Sequence, residues 1–283
     1  MKSKRKLLIF IFACAPFLRV QISEARISSL SPWTFQERLA TPKGAVDQSV
    51  GFQVGFNGIT PTGGNTDSTF LLFPYQLTYG VYDKVEVGAS WGLEYVGRKN
   101  QSNQFGINDL SVAARYRFFD PSRTKRDPGL DFEFGLSFPT ASFEKGLGTG
   151  AVGILFGWGL VLPLDPVRMH VGMGYRLNTE NSDDVRLGHV FSYNAGASYP
   201  LKLRNVKEPL TLLGEIKGFN RSRNKFRGEN AGPQSDELYL APGAAWKFAV
   251  GGRYPYPFRL LGQLLIGLTS DSSDVGFSFE LQF

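Results

Sequence analysis

Apolar and polar residues alternate almost one for one along most of this chain. Val85, Val87, Ala89, Trp91, Leu93 and Tyr95 alternate with Glu86, Gly88, Ser90, Gly92 and Glu94. Leu110, Val112, Ala114, Tyr116 and Phe118 alternate with Asp109, Ser111, Ala113, Arg115 and Arg117, and Val167, Met169, Val171, Met173, Tyr175 and Leu177 with Arg168, His170, Gly172, Gly174 and Arg176. A period of two places successive side chains on opposite faces of a strand, so each segment predicts one apolar and one charged face. Gly, Pro, Asn and Asp cut the pattern into twelve expected strands: 49–56, 68–80, 85–95, 108–119, 130–138, 151–163, 167–177, 189–201, 210–221, 237–250, 258–269 and 275–283. No stretch carries a convincing helical period.

The connectors alternate in length. Segments 81–84, 164–166 and 251–257 are short, whereas 57–67, 97–105, 178–188 and 222–236 are longer and polar. Short turns on one side and long loops on the other are the habit of bacterial membrane barrels, and an even strand count returns both ends to the periplasm. Connector 120–129 is long for its side and 270–274 is short for its side, which leaves ten or fourteen strands open.

Both chain ends point to export. Lys2, Lys4, Arg5 and Lys6 precede an apolar run from Leu7 to Leu18, and Ser23-Glu24-Ala25 offers a small-x-small cleavage site. About twenty apolar residues are needed to span a bilayer, so the run reads as a signal peptide, residues 1–25, rather than an anchor. A lipoprotein site at Cys14 would leave the hydrophobic region too short. Cys14 is the single cysteine, so cleavage after Ala25 leaves no disulfide or thiolate site. Residues 26–48 read as a periplasmic N-terminal segment bearing Trp33 and Phe35. At the other end Val275, Phe277, Phe279, Leu281 and Phe283 alternate with Gly276, Ser278, Glu280 and Gln282. This resembles the closing strand of an outer-membrane barrel, in which a terminal aromatic is read by the barrel-assembly machinery. That machinery, through Phe283, is an expected partner, as are outer-membrane lipid and lipopolysaccharide.

Removing the leader changes the electrostatics. Lys2, Lys4, Arg5, Lys6 and Arg19 against Glu24 account for most of the formal charge of +6, and the exported chain keeps +2. The high pI is therefore no argument for nucleic acid. An exported chain with no second apolar span enters a membrane as a closed barrel, so the expected fold is all-β: a transmembrane antiparallel barrel over 49–283. Charge on the lipid face is costly, which sends the polar face inward. Tyr79, Tyr95, Phe118, Tyr175, Tyr199, Phe248 and Phe283 fall near strand ends, where aromatic girdles sit.

The expected lumen carries both signs: Glu86, Glu94, Asp109, Arg115, Arg117, Asp131, Glu133, Arg168, His170, Arg176, Glu215, Lys217, Glu237, Lys247, Arg259 and Glu280. Eight strands are filled by side chains and sixteen leave an open channel, so twelve predict a narrow passage crossed by ion pairs. Selectivity would fall to charges left unpaired. Arg221, Arg223, Lys225 and Arg227 recur at every second residue in the register of Lys217, predicting a basic ladder at the outer mouth that draws in anions or binds lipopolysaccharide phosphate. Catalysis would need a nucleophile and base together. His170 and His189 are the two histidines, and strand pairing predicts His170 near Ser192 or Asn194. No cofactor motif or metal-ligand spacing is present.

Three segments carry a family resemblance: Tyr79-Gly80-Val81-Tyr82-Asp83-Lys84-Val85-Glu86-Val87-Gly88; Gly106-Ile107-Asn108-Asp109-Leu110-Ser111-Val112-Ala113-Ala114-Arg115-Tyr116-Arg117-Phe118; and Phe138-Pro139-Thr140 followed by Gly146-Leu147-Gly148-Thr149-Gly150. They resemble the outer-membrane proteins of the MetA-pathway phenol-degradation family. The resemblance implies a transporter-like barrel for hydrophobic or aromatic compounds, and it assigns no binding residues. The expected function is a narrow channel or passive transporter for small molecules. A closed structural or surface-interaction barrel is the alternative, and a lipid-modifying enzyme is a third reading.

Overall fold

A computed structural model describes residues 41, 43–56, 68–98, 102–119, 128–201, 210–231, 234–250 and 256–283. The leader with its cleavage site, Cys14, Trp33, Phe35, most of connector 120–129 and all of 57–67 lie outside the described residues.

The strands in chain order are β1 (Val46–Phe56), β2 (Ser68–Tyr82), β3 (Val85–Arg98), β4 (Gln104–Ile107), β5 (Leu110–Phe119), β6 (Gly129–Phe138), β7 (Gly153–Leu164), β8 (Val167–Asn178), β9 (Val185–Arg186), β10 (Val190–Leu201), β11 (Leu210–Arg221), β12 (Asn224–Phe226), β13 (Glu229–Ala231), β14 (Ser235–Val250), β15 (Tyr256–Gly267) and β16 (Val275–Gln282). Each long strand pairs antiparallel with its neighbours, and β1 joins both β2 and β16. The result is a closed ring of twelve strands, with β4 and β5 acting as two pieces of one. Antiparallel closure gives every strand a partner on both sides, as hydrocarbon requires.

The alternation resolves into faces as expected. Phe277 and Phe279 are 41% and 48% exposed, while Ser278 and Glu280 between and beside them are 4% and 1% exposed. Trp91, Phe132, Phe134, Trp158, Ile216 and Leu260 stand on the outside, and Glu86, Arg115, His170, Glu215 and Lys217 are buried inside. A soluble domain would show the reverse, since burial of apolar surface drives its folding. Lipid supplies the apolar surroundings here, and the ring is a membrane-spanning outer-membrane barrel.

Two-residue turns at Asp83-Lys84 and Asp165-Pro166 close one rim. Ser49, early in β1, lies opposite Gln282 at the end of β16, so both ends of the ring meet at that rim, which is the periplasmic one. An aromatic girdle runs along it: Trp246, Phe248, Phe258 and Phe283 follow one another with ring centroids 5.0, 5.5 and 5.3 Å apart. The opposite rim carries the long loops and a separate three-stranded sheet of β13, β12 and β9.

Several strand ends differ from the sequence reading, and two of the differences bear on the interior. Strand β1 begins at Val46, so the last residues of the expected N-terminal segment belong to the barrel. The expected strand 108–119 breaks at Asn108-Asp109, where Asp109 turns to bind a loop.

Depth should govern tolerance of charge on the outer face. Ile216→Arg near mid-strand is expected to lower the unfolding free energy in lipid vesicles by about 2–4 kcal/mol, whereas Tyr199→Arg near the periplasmic rim costs about 0–1. Equilibrium unfolding in urea measures both.

Candidate functional site

The lumen is built from the inward residue of every second position, and charged side chains there meet across strands. At the periplasmic end Arg115 on β5 pairs with Glu86 on β3, and its Nε lies 3.8 Å from Glu133 on β6. These contacts follow from register, since Arg115 is directly opposite both Glu86 and Glu133. One step nearer the rim, Arg117 donates to both oxygens of Asp131 at 2.6 and 3.0 Å. Glu86 also accepts the backbone N–H of Thr41 at 2.9 Å, which fixes the chain leading into β1 against the inner wall. Thr41 is fully buried there.

A second cluster joins more distant strands. Glu215 on β11 lies 3.1 Å from His170 Nε2 on β8 and 3.3 Å from Lys217 Nζ, and accepts from Gln263 Nε2 of β15 at 3.0 Å. Lys217 in turn donates to Gln263 Oε1 at 3.2 Å. Each long side chain passes over an intervening strand at a glycine. A Cβ on Gly196 of β10 would stand 2.5 Å from His170 Cε1, and one on Gly243 of β14 would stand 2.7 Å from Gln263 Cγ. Real Cβ atoms do not approach so closely, and glycine alone leaves both paths open.

Apolar patches interrupt this polar interior. Phe219, Tyr239, Ala241 and Leu265 form one buried group on β11, β14 and β15, and Leu213, Ala245 and Leu261 form another below it. Small and polar residues follow on β16 and β1, where Gly276 faces Gly55 and Ser278 faces Gln53. Phe70, Leu72 and Val96 are buried on β2 and β3. Charge is buried on this side as well, at Glu237, Arg259 and Glu280, so the apolar patches lie among polar groups.

The sequence-predicted residues divide accordingly. Glu86, Arg115, Arg117, Glu133, Arg168, Arg176, Glu215, Lys217 and Arg259 occupy inward positions, and Arg176 donates to Asn178 Oδ1 at 2.9 Å and Ser137 Oγ at 3.3 Å near the outer end. Lys247 has the inward register opposite Arg259 but is exposed at the periplasmic rim. Asp109 is a correction. Its carboxylate accepts from the backbone N–H groups of Ala141 and Thr149 at 3.2 and 2.8 Å and from Thr149 Oγ1 at 2.8 Å, so it anchors the β6–β7 loop instead of lining a passage. His170 lies opposite Gly196, not beside Ser192 or Asn194, which face Gly174 and Gly172.

The basic ladder is also corrected. Strand β11 ends at Arg221, which is buried at the inner wall, and the chain leaves the extended conformation at Ser222-Arg223. Strand β12 then runs into a tight turn in which Arg227 and Gly228 have φ of 50° and 81°, and the exposed Arg227 pairs with Asp184 at 3.4 Å. The four side chains therefore share no single row.

The inward apolar patches escaped the sequence reading, yet their signal is present. Leu260, Leu261, Leu264, Leu265 and Ile266 are apolar on both parities, as are Phe70, Leu71, Leu72 and Phe73, and a continuous apolar run marks a strand buried on both faces.

No family model and no curated protein matches the chain. Among solved structures it is similar to an outer-membrane channel from Pseudomonas putida F1, with a TM-score of 0.67 at 14% identity over 87% of this chain and 97% of that one. A bacterial polysaccharide outer-membrane secretin aligns at a TM-score of 0.41 and 9% identity, over 87% of this chain and 99% of that one. A Pseudomonas aeruginosa FadL homologue aligns at a TM-score of 0.38 and 10% identity, over 84% and 89% of the two chains. The first likeness shows a shared barrel fold.

Loss of one partner from the central cluster should be costly, because it strands a buried charge. Glu215→Ala is expected to destabilise the barrel by about 3–5 kcal/mol, and the double variant Glu215→Ala/Lys217→Met should recover a large part of that loss. Urea unfolding of the three proteins in vesicles gives the coupling directly.

Proposed function

We propose that the barrel is a narrow outer-membrane passage for small amphipathic solutes, aromatic compounds foremost, moving down their gradient without catalysis. The observation that carries this reading is the presence of buried apolar patches inside a charged interior. Phe219, Tyr239, Leu261 and Leu265 are buried from β11 to β15 beside charged groups that include Glu215, Lys217 and Arg259. An aromatic ring bearing one polar group finds a surface for each part on such a lumen, whereas an uncharged sugar or a bare ion would use only the polar groups.

Three further points support it. The paired charges neutralise one another at Glu86–Arg115 and Arg117–Asp131, which lowers the barrier to a weakly charged solute compared with a single-sign ring. The resemblance of segments 79–88, 106–118, 138–140 and 146–150 to the MetA-pathway phenol-degradation barrels favours aromatic compounds. The Pseudomonas putida protein of like fold is a channel. The role of His170 is structural in this reading, since its Nε2 is engaged by Glu215.

A closed structural barrel is the competing reading, favoured by the same buried ion pairs. Refolded protein in a planar bilayer separates the two: a passage gives stepwise conductance, and a closed barrel that migrates as folded gives none. In proteoliposomes the passage should admit phenol-sized aromatics faster than a sugar of similar volume. Leu265→Asp or Phe219→Ser should reduce aromatic uptake about tenfold, the equivalent of one lost aromatic–apolar contact, while leaving ion conductance within about twofold. Equal uptake of aromatic and sugar by the unaltered protein would defeat the proposal.

A further inference from the structure

The three-stranded sheet at the outer rim builds a pocket that the passage does not need. Lys225 on β12 lies opposite Arg186 on β9 and Asn230 on β13, so the three side chains form one row across that sheet. They line a cavity of about 350 Å³ together with His189, Ser222 and Arg223. Arg186, Arg223 and Lys225 pair with no carboxylate among the described residues. The nearby Asp184 is engaged by Arg227 at 3.4 Å.

His189 adds a directed donor. Its Nδ1 accepts the backbone N–H of Asn178 at 3.2 Å, which assigns the proton of the neutral ring to Nε2. Partial burial, Arg186 and Lys225 hold its pKa below the usual histidine value, which favours the neutral ring. The pocket thus presents three cations, an imidazole N–H, a hydroxyl and an amide. Three cations with several neutral donors match a phosphate group, with its near-double charge and multiple acceptor oxygens, better than a single carboxylate.

Position decides where the phosphate comes from. His189 has the outward parity of β10, with exposed Phe191 and Tyr193 below it. Its ring centroid is 6.2 Å from that of Tyr175, which is also on the outer face. The pocket therefore opens on the outside of the wall, just above the apolar belt, at the height of outer-leaflet headgroups. We propose that Arg186, His189, Arg223 and Lys225 form a binding site for a lipid-borne phosphate of the outer leaflet. The site fastens the β9–β12–β13 sheet to the membrane surface. It rests on the membrane placement of the barrel and is independent of what crosses the lumen.

The test uses the refolded full chain in detergent micelles, titrated with deep-rough lipopolysaccharide and read by native mass spectrometry. The same lipid stripped of its lipid A phosphates, and inorganic pyrophosphate, are run in parallel. The unaltered protein should retain the phosphorylated lipid, and Arg186→Gln/Lys225→Gln should bind it about fivefold to tenfold more weakly. The two proteins should not differ toward the dephosphorylated lipid. Heat-modifiable migration reports whether the double variant is folded, and Arg223→Gln, at an exposed loop position, supplies a milder variant with the same expected direction. Equal affinity of all variants for the phosphorylated lipid overturns the site. Pyrophosphate binding that depends on these cations, with no such dependence for the lipid, also overturns it in favour of a soluble anion.

Discussion

Hydrocarbon offers a peptide group no hydrogen-bond partner, so the pairing of β1 with β16 is the contact on which this structure depends. Eight residue pairs from Ser49↔Gln282 to Phe56↔Val275 convert a twelve-strand sheet with two open edges into a ring with none. Once the ring closes, the remaining freedom is small. Each strand must keep the period of two, each apolar face must point out, and every polar side chain of the spanning segments must be accommodated in the shared interior. The alternation in the sequence is the consequence of that closure rather than an independent feature.

Filling the interior then becomes the governing problem. Inward charges are far from bulk water and must find one another. Near the periplasmic rim the register alone supplies partners, as Arg115 sits directly between Glu86 and Glu133. In the centre it does not. His170 and Gln263 reach Glu215 from strands two places away on either side, and they do so over Gly196 and Gly243. Glycine on the inner face thus lets side chains span chords of the ring. The many inward glycines of β6, β7 and β8 leave room beside the charges, while leucine and phenylalanine fill the apolar patches.

The barrel was legible because closure imposes a local and regular signal. The expected strand 210–221 and the observed β11 coincide, as do the starts of β2, β3 and β8, since a strand with one face in lipid cannot slip by one residue without reversing its faces. Legibility ended where that constraint ends. Above the membrane the chain from Arg221 to Arg227 still alternates in sequence, but nothing there forces an extended backbone, and the turn at Arg227-Gly228 redirects it into a separate sheet. Asp109 read as a lumenal charge from parity alone, because its three loop donors are backbone groups or a distant threonine that no periodicity reveals. The inward apolar patches were hidden for the opposite reason. Alternation is sought as contrast between faces, and β15 has leucine on both.

The outer rim shows how a barrel of this size shapes its mouth without extra domains. Asp109 ties the β6–β7 loop to the wall, and the Tyr239 hydroxyl, donating to Glu237 at 2.8 Å, accepts the N–H of Ser273 at 3.0 Å and so holds the β15–β16 turn. Ser272 and Thr269 add bonds from the same turn to Leu238 and Asp236. Leu147 of the β6–β7 loop and Leu187 beside β9 are buried, and buried or half-buried polar contacts hold the loops alongside them. Such contacts are directional and short in range. They fix the loop nearest each strand end, while at the β9–β12–β13 sheet Arg227 pairs with Asp184 and Arg186 and Lys225 pair with no carboxylate among the described residues. Closure therefore determines the interior and the lipid belt together, whereas the rim is specified residue by residue, and it is at the rim that the chain is free to acquire surface chemistry without disturbing the ring beneath.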